Sequence, residues 1–238
     1  PLDPITGVQI GDQSQQEVDA SSKYYVEPNL AYVSDNSLFG YTGPIYGRRY
    51  RFQVTPALGQ FKWLGLLGDY RRYDAILFSY LTVATRLTAN LSYGRDADSL
   101  FKYLGYSDLI RGYDDNSFQL TDQNCPVTVT NSNRCQRLLG SKVAFGNIEL
   151  RFPLVRGGQA GAIPVPPIEG AFFYDAGTAW FNGQKVEFHH SSRDDPANVR
   201  SLLTSYGFGI RMNLFNYVIL RLDYGIPQDS PDRPEVWQ

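Results

Sequence analysis

The feature that most constrains this chain is a period-two alternation that returns again and again, with charged residues on the minority parity in the middle of each run. Tyr50, Phe52 and Val54 alternate with Arg49, Arg51 and Gln53. Leu64, Leu66 and Tyr70 oppose Asp69 and Arg71, and Leu81, Val83, Leu87 and Leu91 oppose Thr82, Arg86, Thr88 and Asn90. Ile148, Leu150 and Phe152 oppose Asn147, Glu149 and Arg151; Phe172, Tyr174 and Trp180 oppose Asp175 and Gly177. Tyr206, Phe208, Ile210 and Met212 oppose Ser205, Gly207, Gly209 and Arg211, and Val218, Leu220, Leu222 and Tyr224 oppose Arg221 and Asp223. A period of two is the signature of a strand, because successive side chains point to opposite faces. The spacing predicts antiparallel strands at about 24–35, 48–57, 62–73, 77–92, 141–154, 170–181, 204–214 and 216–226.

A soluble sandwich would turn the charged face to bulk water and pack the apolar faces as a core. A membrane barrel turns the apolar face to lipid and the charged face to its lumen. The lengths suit the second arrangement, as do Tyr and Trp near strand ends, where an interfacial girdle lies. On this reading Tyr24, Leu66, Leu87, Leu150, Tyr174, Ile210 and Leu222 face lipid. The most apolar stretch, 75–84, is far short of the ~20 residues of a membrane helix. Closure is required, since lipid cannot satisfy an open sheet edge. Eight strands could close on themselves or belong to a larger wall.

Function classes fall away on composition. The formal net charge is −2, so no basic face advertises nucleic acid. No Ser nucleophile motif, phosphate loop or metal-ligand spacing is present, and the chain is read as not an enzyme, with no cofactor and no metal. His189-His190 near Asp194-Asp195 reads as a solvated loop cluster. Cys125 and Cys135 lie close together in a polar stretch; a disulfide closing that short loop is the favoured reading and two free thiols the alternative. Residues 1–22, rich in Gln, Asp, Ser and Gly, read as a linker or frayed terminus ahead of a barrel segment over 23–238. The polar stretch 93–140 reads as a long extracellular loop, with a second long connection at 182–204; Asn213–Tyr217 and Pro56–Lys62 read as short turns.

Within the long loop, Leu109-Ile110-Arg111-Gly112-Tyr113 resembles the Arg-Gly-aromatic loop tip of the BamA/TamA outer-membrane assembly superfamily, the bacterial surface antigen barrels. In the expected order follow Gly146 to Leu154, Phe172 to Trp180 with its Asp175-x-Gly177 core, Ser205 to Arg211, and Leu220 to Pro227. Upstream, Asp35-Asn36-Ser37 through Pro44 and Gly47 resembles a periplasmic turn of the same family. The resemblance covers about residues 24–238. It implies the C-terminal half of a sixteen-stranded all-β, antiparallel transmembrane β-barrel in the bacterial outer membrane. The strand at 77–92 counts as the eleventh, the chain begins near the eighth, and the sixteenth begins at Val236-Trp237-Gln238. It further implies protein assembly, insertion or translocation; the alternative is a passive pore or structural barrel carrying an upstream extracytoplasmic domain. The partners it implies are outer-membrane lipid, unfolded outer-membrane client proteins, and periplasmic accessory domains or proteins.

The resemblance also implies a loop lock made of Arg111, Gly112, Tyr113, Glu149, Asp175 and Gly177. Its chemistry is intelligible from the residues. Arg111 carries a planar donor fork suited to two carboxylates. Glu149 and Asp175 share the lumen parity of neighbouring strands and repel unless a cation intervenes. Gly112 permits positive φ or close approach, and Gly177 leaves room beside Asp175. The alternative leaves Arg111 in a solvated loop and pairs the acids with Arg151 or Arg211.

Overall fold

The computed structural model describes residues 24–77, 80–113, 117, 137–160, 163–190, 198–214, 217–229 and 236–237. Strands dominate them: β1 (Tyr25–Val26), β2 (Leu30–Asp35), β3 (Leu38–Phe39), β4 (Pro44–Gly59), β5 (Trp63–Ile76), β6 (Leu81–Tyr93), β7 (Lys102–Tyr103), β8 (Leu139–Gly140), β9 (Lys142–Ala160), β10 (Ile163–Trp180), β11 (Lys185–His190), β12 (Val199–Leu214), β13 (Val218–Pro227) and β14 (Val236–Trp237). Helical structure among the described residues is one 3-10 turn, Ala97–Ser99. The main sheet runs β1-β4-β5-β6-β9-β10-β12-β13-β14, with β2 and β3 also on β4 and β11 on β12. Every pairing is antiparallel except β11 with β12. The two ends of the sheet do not meet among the described residues, so this is an arc of barrel wall. Its concavity shows in contacts far apart in sequence. Asn213 donates to the Tyr41 carbonyl, and Arg151 Nη1 to the Pro44 carbonyl at 3.3 Å.

The alternation sorts as its period requires. Leu87, Leu150, Tyr174, Ile210 and Leu222 are exposed on the convex face, and Tyr24 is exposed ahead of β1. Leu66 is half-buried, flanked by Val54 and Leu91 on the neighbouring strands. The concave face buries Thr82, Thr88, Glu149, Asp175, Arg211 and Asp223.

Several expected bounds are corrected. The stretch 24–35 is not one strand: it breaks at 27–29, where the register sets Pro28 opposite Pro56 of β4 and neither has an N–H to offer the other. The strand expected from 77 starts at Leu81, because Leu77 takes φ 48° in the preceding turn. The Gly- and Pro-rich stretch 155–169 is not a connection. It extends β9 and β10 as a ribbon, with Val165 opposite Gly158 and Pro167 opposite Arg156. A two-stranded ribbon has free edges, where proline costs no ladder bond. β12 begins at Val199 rather than 204, held there by β11. The turn after Gly59 lies at the same end of the wall as the loop after Tyr93, since one strand, β5, separates it from the β5–β6 turn. Residues 1–22 lie outside the described residues.

Candidate functional site

The long connection after β6 turns inward. β7 and β8 pair to form its neck, and Leu104 N–H donates to the Leu138 carbonyl at 2.8 Å. Past the neck the chain makes a tight turn, with Leu109 and Ile110 both donating to the Tyr106 carbonyl. Two wall side chains cap the carbonyls this turn leaves over. Arg86 Nη1 donates to the Asp108 carbonyl and Asn147 Nδ2 to that of Leu109, each at 2.8 Å. Leu104, Ile110, Tyr113 and Leu138 of the connection bury themselves with Val143, Phe145, Ala179 and Leu203 of the wall. This small apolar core lies on the concave face and fixes the height of the tip.

Arg111 follows, at 2% exposure. Its Nε and Nη2 donate to the two oxygens of Asp175 at 2.7 and 2.6 Å, and its backbone N–H donates to Oδ2 at 3.1 Å. Nη1 donates to Glu149 at 2.6 Å and lies 3.7 Å from Asp223. The guanidinium plane sits over the Phe173 ring, 3.5 Å from its centroid. Burial works against the charge. The hydrogen bonds and charge of Asp175, with Glu149 and Asp223 behind it, outweigh that and raise the Arg111 pKa above its ordinary value. Glu149 is shared further: Arg151 and Arg211 each donate to it at 2.8 Å. The two pairings posed as alternatives in the sequence therefore coexist on one carboxylate.

Gly112 takes φ +84°, and a Cβ there would sit 3.2 Å from the Gly225 carbonyl carbon. The reciprocal approach is closer, with a Cβ on Gly225 only 2.7 Å from Gly112 N. A Cβ on Gly177 would meet Ile110 Cδ1 at 2.5 Å. Tyr113 is buried; its hydroxyl donates to the Thr204 carbonyl at 2.7 Å, with Asp229 Oδ2 3.0 Å away. Burial first, and then the Asp229 charge, push its pKa up. The geometry thus brings Arg111, Gly112, Tyr113, Glu149, Asp175 and Gly177 together. Phe173, Asp223, Gly225 and Asn147 belong to the same constellation; alternation had set Asn147 and Asp223 on the inner parity without assigning them to the lock, and it singled out neither Phe173 nor Gly225. An aromatic at 173, on the polar parity, was the available signal.

The remaining candidates stand apart. Cys125, Cys135, Asp194 and Asp195 lie outside the described residues. His189 on β11 is 3.5 Å from Glu187, and the described residues contain no group of three or more potential metal ligands.

Comparison with known proteins agrees with this architecture. No curated protein matches the chain. The family model for the Omp85 superfamily domain matches residues 15–238. Proteins of that family are outer-membrane barrels for protein assembly and translocation. An all-β arc with an apolar convex face and a charged concave one is what such a wall requires, and the chain belongs to the Omp85 superfamily.

Proposed function

We propose that this chain is wall and plug of an outer-membrane barrel that assembles or translocates proteins, and that Arg111-Gly112-Tyr113 locks its long loop inside the lumen. The observation that carries the reading is the burial of Arg111 with its fork on Asp175 and its third nitrogen on Glu149. One side chain ties the loop to β9 and β10, while Tyr113 and Gly112 tie it to β12 and β13. The lock is mechanical. It holds the loop across the lumen while the wall changes around it.

The convex apolar face meets outer-membrane lipid. The order of motifs after the loop supports a place in the C-terminal half of a sixteen-stranded wall. Strands beyond those described complete it, because an edge left open in lipid would strand its N–H and C=O groups. Client proteins are received by edge pairing, in which main-chain hydrogen bonds supply affinity without demanding one sequence. The test is reconstitution of the full-length protein in lipid vesicles with an unfolded outer-membrane client. Client insertion faster than in empty vesicles, and slowed by Arg111→Ala, is the expected result. Ion conductance with no effect on insertion would make the barrel a passive pore and overturn the reading.

A further inference from the structure

The register of the wall sets arginine against arginine on its inner face. Arg49 is opposite Arg71 and Arg71 is opposite Arg86 across β4, β5 and β6; Arg211 is opposite Arg221 across β12 and β13. Directly opposed like charges destabilise a ladder unless something of opposite sign stands between them. Part of that answer is present. Asp69 accepts from Arg71 at 2.8 Å and from Arg86 at 2.9 Å, and Arg221 Nε donates to Asp223 at 2.6 Å.

The answer falls short. Below the loop tip lies a cavity of about 120 Å³ lined by six arginines, the five on the wall, Arg71, Arg86, Arg151, Arg211 and Arg221, together with Arg111 of the loop. Among the described residues the carboxylates bonded to them are four, Asp69, Glu149, Asp175 and Asp223, against six guanidinium charges. Asp108, with its side chain 86% exposed and 3.8 Å from Arg221, answers for one at most. The donors are not used up either. Arg211 is 7% exposed, yet it engages Glu149 through Nη2 alone, and its Nε and Nη1 make no hydrogen bond among the described residues.

We propose that this cavity binds a small multivalent oxyanion of the phosphate or sulfate class. Guanidinium forks match tetrahedral oxyanions in geometry as well as charge, which a chloride ion does not exploit. The site opens on the concave face, so lipid on the convex face does not reach it. An anion there would tie β5 and β6 to β12 and β13 beneath Arg111 and neutralise the opposed pairs. The inference stands on the inner face alone, whether or not the barrel inserts client proteins.

The experiment titrates the full-length protein in detergent with inorganic phosphate and, separately, with sulfate. It is done by calorimetry at low-millimolar anion and constant ionic strength in chloride. Saturable binding to one site is expected, with a raised unfolding temperature through linkage. Arg71→Gln and Arg221→Gln should each weaken binding by roughly tenfold or more. Arg72→Gln, on the convex face of β5 and paired with Asp74, should leave it unchanged. Binding that does not saturate, that chloride reproduces, or that Arg71→Gln and Arg72→Gln affect alike would overturn the proposal. Should a variant fail to fold, the wild-type titration against chloride decides alone.

Discussion

Arg111→Ala should destabilise the folded protein by about 3–5 kcal/mol, the usual consequence of removing one partner of a buried ion pair. The two carboxylates should not bear that loss equally. Asp175 is fully buried and, among the described residues, takes its hydrogen bonds from Arg111, one from the backbone and two from the fork. Without the side chain it is a buried charge held by a single N–H. Glu149 loses one donor and keeps Arg151 and Arg211, both at 2.8 Å. Removing the stranded charge as well, in Arg111→Ala/Asp175→Asn, should therefore return about 2 kcal/mol. Arg111→Ala/Glu149→Gln should return nothing and cost more, because Arg151 and Arg211 then face each other without their shared anion. Arg111→Lys should restore little, since an ammonium has neither the fork for Asp175 nor a planar face for Phe173. The assay is urea unfolding of protein refolded into short-chain lipid vesicles, followed by tryptophan fluorescence and by the gel shift between folded and unfolded barrel. The double-mutant cycles must be compared at unchanged m-value. Equal rescue by the Asn and Gln variants, or no coupling between Arg111 and Asp175, would refute the partition read from the geometry.

On the convex face, Leu150→Arg or Ile210→Arg should cost about 2–4 kcal/mol near the midplane, while Gln53→Arg on the concave face should cost clearly less by the same urea assay. Equal costs would reverse the orientation of the wall. Gly225→Ala places a Cβ 2.7 Å from Gly112 N and 2.8 Å from its Cα, both backbone, and should cost about 1–3 kcal/mol while making the long loop sensitive to added protease; an unchanged cleavage pattern would count against the close approach. At the loop neck, burial and then the Lys142 charge push Lys102 down to about 8 from 10.5. The unfolded chain binds more protons in that window, so stability should rise between about pH 8 and 10.5 and not below it. Lys102→Met should flatten that rise in unfolding curves taken across the range. Cys125 and Cys135 should resist alkylation in the unreduced protein and react after reduction; prompt labelling without reductant would leave them as free thiols.

What could be read from the sequence and what could not divides along a physical line. Strand positions and faces were legible because a period of two is local. The residues at 147, 149 and 151 declare their faces with no knowledge of their neighbours. Register is not local. That Arg71 stands opposite Arg86, and Arg211 opposite Arg221, depends on how far each strand slides against the next. So the cationic cavity could not be seen beforehand. The proline-bearing ribbon beyond 155 was hidden for the same reason, and that Pro28 and Pro56 meet is likewise a matter of register. Whether a proline breaks a strand depends on whether a partner needs its N–H, and the partner is a tertiary fact.

Part of the site was legible in a form that alternation alone misreads. Reading polar as inward and apolar as outward leaves Val143, Phe145 and Phe173 unexplained, because they are apolar on the charged parity. Those violations mark where the loop lands. Val143 and Phe145 pack on Leu104, Ile110 and Tyr113, and Phe173 lies under the Arg111 guanidinium. A lumen filled with water gives an inner wall no reason to be apolar, so an apolar patch there requires something to cover it. Where the inner parity turns apolar, the loop core sits. Where it stays charged, at Arg71, Arg86, Arg211 and Arg221, the loop brings polar groups, Ser107, Asp108 and Arg111, and the cavity opens between them. The boundary between the two runs through Glu149 and Asp175. That is why a loop tip ending in a fork of five donors, with a glycine behind it, can close the apolar side while drawing its counter-charge from the polar one.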